Sequence, residues 1–370
     1  MYSDDIDGQG VTVRKYMSLL SGLFLLVVLL PEDIHSCTTF CLKDKNGHSL
    51  FGRNFDFPTG LGQVHINQRN LQKTSFIAPP EKPFGWVAKY GSISFNQNGR
   101  EFPYGGMNEA GLVIEQMMHD EAIYPARDER YGLEELQWIQ YQLDVSASVA
   151  EVMASDRIVR ISNTSIAPLH FLVSDSGGNV ATIEYVGGKM VHHTGKDLKY
   201  PVLSNDTYDV SLDYKANIDA GSAKAFSERT RSYSDRFAKA AAMIEAYGQS
   251  KAAAVDYAFA ILEKVSQGGT QWSIVYDMKK GAIYYRTRHN KNIRHIALRL
   301  FDFSCASERL FADIEEDIGG LSDFKAYNYG SNLKLIESAW SAVEFLKQIP
   351  GNFRTSWAKY PDSVRCIKAD

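Results

Sequence analysis

The chain has 370 residues and a formal net charge of −4, and its basic residues are scattered along its length. This charge excludes the broad basic field with which many proteins bind nucleic acid. Hydrophobic residues make up 44% of the chain and aromatic residues 12%, which is enough for a sizeable core. The function must therefore be inferred from the motifs of a globular protein.

The first 36 residues have the pattern of a secretory signal. Basic Arg14 and Lys15 precede an apolar run over residues 19–30, and a polar stretch then leads to Ser36. The apolar run is too short to cross the roughly 30 Å hydrocarbon core of a bilayer as a helix, but its length suits a signal peptide. We expect residues 1–36 to be removed and the protein to be exported, periplasmic or secreted, with no stable membrane span.

Removal of this leader makes Cys37 the first residue of the protein. A thiol and a free α-amine then belong to the same residue. An amine with an ordinary pKa of about 8 accepts the thiol proton at neutral pH. The sequence therefore predicts a nucleophile that carries its own base.

Cys37 begins the first strand of a predicted β-hairpin. Two apolar runs flank Asn46-Gly47, a pair that strongly favours a hairpin turn. Strand pairing is expected to bring Arg53 and Asp56 back toward the cysteine. Arg53 always carries its charge and is expected to favour the thiolate, whereas Asp56 is expected to hold the α-ammonium group.

Periodicity predicts alternating blocks of strands and helices after this hairpin. Strands are expected over residues 63–68, 91–96, 112–117, 170–173, 180–185, 189–193, 271–276, 282–287 and 294–300, with a proline-rich loop over 78–86. Helices are expected over 133–143, after Ser146, over 237–247 with Ser234 or Asp235 as N-cap, over 254–265 and over 333–346. Periodicity alone indicates an α+β protein with segregated strands and helices.

Five motifs occur in a specific order: Cys37-Thr-Thr-Phe, Phe51-Gly-Arg-Asn-Phe-Asp-Phe, an Asn-Glu-x-Gly-Leu turn at Asn108, Val202-Leu-Ser-Asn-Asp and Ser234-Asp-Arg-Phe. This order resembles the penicillin V acylases and bile salt (choloylglycine) hydrolases, which are N-terminal-nucleophile hydrolases, over roughly residues 37–300. The resemblance implies an αββα sandwich of two antiparallel sheets between helical layers. It also implies hydrolysis of a linear amide through a thioester, with a catalytic domain over 37–305 and possible assembly as a tetramer.

The same resemblance implies further site residues. Asn205 would donate a side-chain N–H to the oxyanion, Asn108 would assist through its side chain or backbone, and Arg236 would tune the cysteine region. Asn108 has an alternative role as the capping residue of its turn. Asn205 also begins a glycosylation sequon, Asn-Asp-Thr, but a buried oxyanion donor cannot carry a glycan, and the oxyanion role is favoured.

Aromatic residues near the hairpin are candidates for the acyl pocket. Phe57, Phe84 and Trp86 are expected either to line that pocket or to anchor loops. The adjacent pair His192-His193 points to opposite faces of a strand and lacks neighbours at metal-ligand spacing, so neither a metal site nor a cofactor is expected. The family's substrates include conjugated bile salts, phenoxymethylpenicillin and acyl-homoserine lactones. The presence of Phe57 directly after Asp56 slightly favours resemblance to the acylases over the bile salt hydrolases.

Several alternatives remain open at this level. Cys37 acylated after export would give a lipid-anchored binding protein without catalysis, and Cys37 paired with Cys41 would be an ordinary strand cysteine. The precursor is also able, in principle, to cut its own leader. Cys305 and Cys366 are able to pair in an oxidising compartment. Residues 306–370, the C-terminal extension, are expected to pack on the domain or to mediate assembly.

Overall fold

The structure is a computed structural model that describes residues 37–222 and 224–367. The predicted leader lies outside this part of the chain. The strands are β1 (Thr38–Lys43), β2 (Ser49–Asp56), β3 (Gln63–Asn67), β4 (Leu71–Thr74), β5 (Gly85–Val87), β6 (Ser92–Asn96), β7 (Gly105–Asn108), β8 (Val113–Met118), β9 (Tyr131–Leu133), β10 (Val159–Ile161), β11 (Leu169–Ser174), β12 (Val180–Val186), β13 (Lys189–Thr194), β14 (Val202–Leu203), β15 (Thr270–Asp277), β16 (Ala282–Thr287), β17 (Arg294–Ala297), β18 (Leu310–Asp313), β19 (Lys325–Ala326) and β20 (Arg365–Cys366).

The α-helices are α1 (Glu135–Val145), α2 (Val149–Ala154), α3 (Tyr208–Asp219), α4 (Glu228–Ala246), α5 (Ala254–Lys264), α6 (Tyr329–Ser341), α7 (Glu344–Lys347) and α8 (Gly351–Lys359). None of these helices combines the length and the apolar character needed to cross a bilayer.

Two antiparallel sheets lie face to face. Six strands form one sheet in the order β14-β1-β2-β15-β16-β17, and nine strands form the other in the order β13-β12-β11-β8-β7-β6-β3-β18-β19. Aromatic side chains join the facing surfaces, because Tyr276 and Tyr285 of the first sheet each pack edge-on against Phe95 of the second. The core of the protein therefore lies between the sheets.

Helices cover the outer surfaces of both sheets. α4 and α5 pack on the six-stranded sheet, where Asn54 donates to the Leu262 carbonyl at 2.7 Å. α1 packs on the nine-stranded sheet, with Trp138 against Phe171 at a ring distance of 4.6 Å. The arrangement is an αββα sandwich, so the predicted fold class is confirmed.

One predicted helix boundary is wrong. α4 begins at Glu228, with Ser227 as the N-cap that accepts from the Thr230 amide at 3.0 Å, and not near Ser234 or Asp235. The segment between Ser227 and Ser234 contains no glycine or proline that would stop a helix. Its charged side chains suit the solvent-exposed first turns of α4. Ser234 lies inside the helix, buried, and donates to Asp206 at 3.1 Å.

Two smaller differences concern the loop at 78–86 and the last helix. The loop ends in strand β5, which contains Trp86 and pairs with β4. The helix expected over 333–346 is divided into α6 and α7.

The C-terminal extension is built into the domain. β18 pairs with β3 inside the nine-stranded sheet, and β20 pairs with β4. A disulfide joins Cys305 to Cys366 with a Cα–Cα distance of 5.4 Å. Residue 305 is therefore not a boundary between two separately folded domains.

Replacement of both Cys305 and Cys366 by serine is expected to lower the free energy of unfolding by up to about 4 kcal/mol, because the bond closes a long loop. The two cysteines are 61 residues apart. Urea unfolding of the oxidised protein, with and without reductant, measures the difference. In the doubly substituted control, reductant should have no effect. Equal stability of both proteins would contradict a stabilising role of the bond.

Candidate active site

The hairpin places Cys37 beside Arg53. Its turn is held by Asp44, whose carboxylate accepts from the amides of Asn46 and His48, and Gly47 takes a positive φ of 81°. In the resulting register Thr39 lies opposite Arg53. Because side chains alternate along a strand, Cys37 shares the face of Thr39 and is a diagonal neighbour of Arg53.

The sulfur of Cys37 is enclosed. Only 2% of the residue is exposed, and Sγ lies 3.9 Å from Arg53 Nη2 and 3.9 Å from the Asp56 carbonyl oxygen. Burial raises the pKa of the Cys37 thiol, and Arg53 opposes this rise only in part. Cys41 is also buried and free, so the two cysteines form no bond with each other.

Arg53 is held from the opposite sheet. Nη1 pairs with the Glu115 carboxylate, and Nη2 donates to the Gln116 carbonyl at 3.1 Å. Tyr276 donates to the other oxygen of Glu115. Gly105 leaves room for this carboxylate, because a side chain there would begin 2.1 Å from it. The guanidinium is therefore fixed in place against the sulfur.

Asp56 lies at the end of β2, next to the backbone of Cys37. Its Oδ1 accepts a hydrogen bond from Thr270, and its Oδ2 has no hydrogen-bond partner among the described residues. Burial raises the pKa of Asp56 to about 6, although Arg236 and Arg53 oppose the rise. Burial therefore disfavours the charged form of this carboxyl group more than the two arginines favour it.

Arg236 connects Cys37 to Asn205. Nη1 donates to the Cys37 carbonyl at 2.5 Å and to the Thr38 hydroxyl at 2.6 Å, and Nη2 donates to Asn205 Oδ1 at 3.0 Å. The Asn205 amide donates to the Met118 carbonyl at 2.7 Å. Asn205 is 2% exposed, so a glycan on its amide would not fit.

Asn108 does not join this group. Its Nδ2 donates to the carbonyls of Leu143 and Ser146 at 2.9 and 2.8 Å, and its Oδ1 accepts from the amides of Ala110 and Leu112. Its backbone N–H donates to the Leu112 carbonyl at 3.0 Å. Both groups expected to act on an oxyanion are thus engaged in the turn and in anchoring α1, which fits the alternative role of Asn108 as the capping residue of its turn.

A small pocket, with about 40 Å³ of free volume, opens at Cys37. Phe57 lines it, but Phe84 and Trp86 do not. These two aromatic residues stack with each other and pack edge-on against Tyr141, and Trp86 donates to Asp144 at 2.8 Å. Of the two roles expected for them, these contacts fit that of structural anchors.

Sequence reasoning missed the acidic partner of Arg53 and one wall of the pocket. Glu115 interrupts an apolar strand, and a lone charge in such a strand signals a buried partner. The missed wall belongs to the C-terminal extension and consists of Trp340, Phe345, Leu346 and Trp357. No local pattern marks these residues as pocket-lining.

One residue of the histidine pair on β13, His193, contacts acidic neighbours. His193 lies 3.2 Å from Asp209 and 3.8 Å from Glu184. Across the ranges that the structure describes, no group of three or more His, Cys, Asp or Glu side chains is arranged to hold a metal ion.

Comparison with known proteins agrees with this geometry. The model of the family "linear amide C–N hydrolases, choloylglycine hydrolase family" matches residues 37–311 and so begins at the cysteine. Penicillin V acylase of Pectobacterium atrosepticum is 26% identical over 337 residues, which cover 79% of this chain and 89% of that protein. The bile salt hydrolase/transferase of Lactiplantibacillus plantarum is 25% identical over 309 residues, covering 71% and 92% of the two chains.

A solved structure agrees as well. Penicillin V acylase from Agrobacterium tumefaciens superposes with a TM-score of 0.66 at 25% identity, over 79% of this chain and 98% of the other. The matched fold is that of the N-terminal-nucleophile hydrolases. This chain therefore belongs to the choloylglycine hydrolase family of linear amide C–N hydrolases.

Proposed function

We propose that residues 1–36 are removed and that Cys37 then cleaves a linear amide through a thioester. The observation that carries this proposal is the position of the Cys37 sulfur, which lies in an apolar pocket beside Arg53 and Asp56. The family match that starts at residue 37 supports it, because a nucleophile with its own amine must be the first residue.

The proposed reaction has two halves. The α-amine of Cys37 accepts the thiol proton, and the sulfur attacks the amide carbonyl to form a C–S bond. The resulting ammonium gives its proton to the leaving nitrogen as the C–N bond breaks. Water, deprotonated by the same amine, then attacks the thioester and releases the acid and the thiol.

Each neighbouring residue has a proposed part in these steps. Arg53 lowers the cost of a thiolate, and Asp56 holds the α-ammonium through its Oδ2 atom. Asn205 stabilises the negative charge that develops on the carbonyl oxygen. Arg236 is a positioning residue, because it fixes both the Cys37 carbonyl and the Asn205 side chain.

The substrate is proposed to be an amide with an apolar acyl group. Aromatic and aliphatic side chains form most of the pocket, among them Phe55, Phe57, Leu169 and Trp340. The names of the relatives suggest two candidate substrates to test first, phenoxymethylpenicillin and conjugated bile salts.

Export is part of the proposal. The Cys305–Cys366 disulfide supports it, because disulfides persist mainly in oxidising compartments. The alternative of a lipid-anchored protein suits the geometry less well, since a diacylglyceryl group on Cys37 would have to occupy the buried pocket. Mass spectrometry of the N-terminus distinguishes them, as a free cysteine supports the enzyme and a lipid adduct rejects it.

The first test compares protein beginning at Cys37 with Cys37→Ala and with a form that retains Ser36. Only the first is expected to hydrolyse phenoxymethylpenicillin, glyco- or tauro-conjugated bile salts or a long-chain acyl-homoserine lactone. Retaining Ser36 leaves the thiol in place but converts its amine into an amide, which should cost at least about 10² in rate. Equal activity with Ser36 retained would show that another group is the base.

A second test separates the two asparagines. Asn205→Ala is expected to lower kcat by about 10²–10³, because it removes an oxyanion donor. Asn108→Ala is the matched control, and it should instead lower the free energy of unfolding by at least about 2 kcal/mol, because it leaves buried groups unpaired. Turnover per folded molecule and urea unfolding of both variants measure this. A lower kcat in folded Asn108→Ala would instead show that Asn108 takes part in catalysis.

A third test uses the pKa of Asp56, which is about 6 in the folded full-length chain. An unfolded aspartate has a pKa of about 3.9, so the folded state binds more protons between these values. The free energy of unfolding therefore falls as pH rises from about 4 to about 6. With a free ammonium on Cys37, the pKa of Asp56 should be lower, and the decrease in the free energy of unfolding between about pH 4 and about pH 6 should be smaller.

Unfolding measured across this pH range, in full-length protein and in protein beginning at Cys37, checks the expectation. Asp56→Asn in each form is the control that removes the contribution of this carboxyl. The same Asp56 contribution in both forms would contradict its proposed contact with the α-ammonium.

A further inference from the structure

The far wall of the Cys37 pocket comes from outside the family's matched range. Trp340, Phe345, Leu346 and Trp357 line the pocket, and all lie beyond residue 311, where the match ends. The side of the pocket nearest the sulfur comes from the matched domain. Features of the acyl site that depend on this wall are therefore specific to chains with such an extension.

The wall is firmly attached to the domain. Asn98, in the turn after β6, accepts hydrogen bonds from both indoles, from Trp340 at its side-chain oxygen and from Trp357 at its carbonyl, each at 2.7 Å. Trp357 also stacks on Phe102 with a ring distance of 3.8 Å. With the disulfide near the chain end, these contacts hold the tryptophans in fixed positions.

A second cavity, with about 190 Å³ of free volume, is also lined by Trp357. Glu134, Ile166 and Trp357 line both spaces, so they form the boundary between them. Phe76, Ile77 and Phe353 make the remainder of the second cavity largely apolar. The two spaces therefore adjoin each other, and Cys37 lines the first whereas Phe353 lines the second.

Glu134 is the acidic residue of the boundary. Burial and the adjacent Glu135 raise the pKa of Glu134 well above its ordinary value. Its Oε2 accepts from the amides of Leu136 and Gln137 at the start of α1. A protonated carboxyl group in this position is compatible with an apolar chain passing beside it.

We propose that the C-terminal extension sets the acyl chain length, with Trp357 and Ile166 as the constriction. A linear acyl group with its carbonyl at Cys37 crosses the first pocket and reaches this constriction, and the second cavity receives a longer chain only when the constriction is widened. The inference rests on the proposed function, because it assumes that the acyl group is bound at Cys37.

The test measures kcat/KM of protein beginning at Cys37 on linear acyl aminocoumarin amides from butanoyl to hexadecanoyl. Ile166→Ala and Trp357→Phe widen the constriction from its two sides. Both are expected to shift the preferred chain toward greater length, with the ratio of long-chain to short-chain kcat/KM rising roughly tenfold or more. Ile166 is only half-buried, so its variant keeps the test valid if Trp357→Phe folds poorly.

Trp86→Phe is the matched control. It makes the same substitution and also loses an indole hydrogen bond, the one to Asp144, but Trp86 lines neither cavity. Its preferred chain length should stay that of the unaltered enzyme. An unchanged preference in Ile166→Ala and folded Trp357→Phe, or an equal shift in Trp86→Phe, would overturn the inference. Absence of hydrolysis of every amide by the unaltered enzyme would instead refute the proposed function.

Discussion

The buried charge of Arg53 is the constraint on which the site depends. A guanidinium without water is costly unless it is paired and hydrogen-bonded. Arg53 lies on β2 of one sheet, and its partners Glu115 and Gln116 lie on β8 of the other. The two sheets must therefore meet in one register at this point. The same register places Nη2 of Arg53 against the Cys37 sulfur. The ion pair that aligns the two sheets therefore also sets the charge beside the nucleophile.

The part of the site closest to Cys37 was predictable because it is local. An Asn-Gly turn and two short strands determine which side chains share a face, and so Arg53 and Asp56 follow from spacing alone. Asn205 and Arg236 required the family resemblance, since they lie far along the chain. Arg236 contacts both Asn205 and the Cys37 carbonyl, and these are tertiary contacts that no periodicity encodes.

Where the sequence left two roles open for a residue, the choice depended on partners that only the folded chain brings together. Asn108 fits either an oxyanion hole or a turn, and the packing of α1 against β7 takes both of its amide hydrogens. The sequence allows Trp86 either to line a pocket or to anchor a loop, and its hydrogen bond to the Asp144 carboxylate favours the anchor. The extension has ordinary amphipathic helices, and its two pocket tryptophans become recognisable only when Asn98 is seen to hold both.

The proton balance of the site explains why removal of the leader would matter chemically. With Cys37 joined to Ser36, burial keeps the thiol protonated, and the charge of Arg53 is already offset by Glu115. No nitrogen base is then attached to the nucleophile. Cleavage before Cys37 would add an amine, which Asp56 is proposed to hold through its Oδ2 atom, an atom without a hydrogen-bond partner among the described residues. In this proposal, cleavage activates the enzyme by supplying a base to a pocket whose walls are already built.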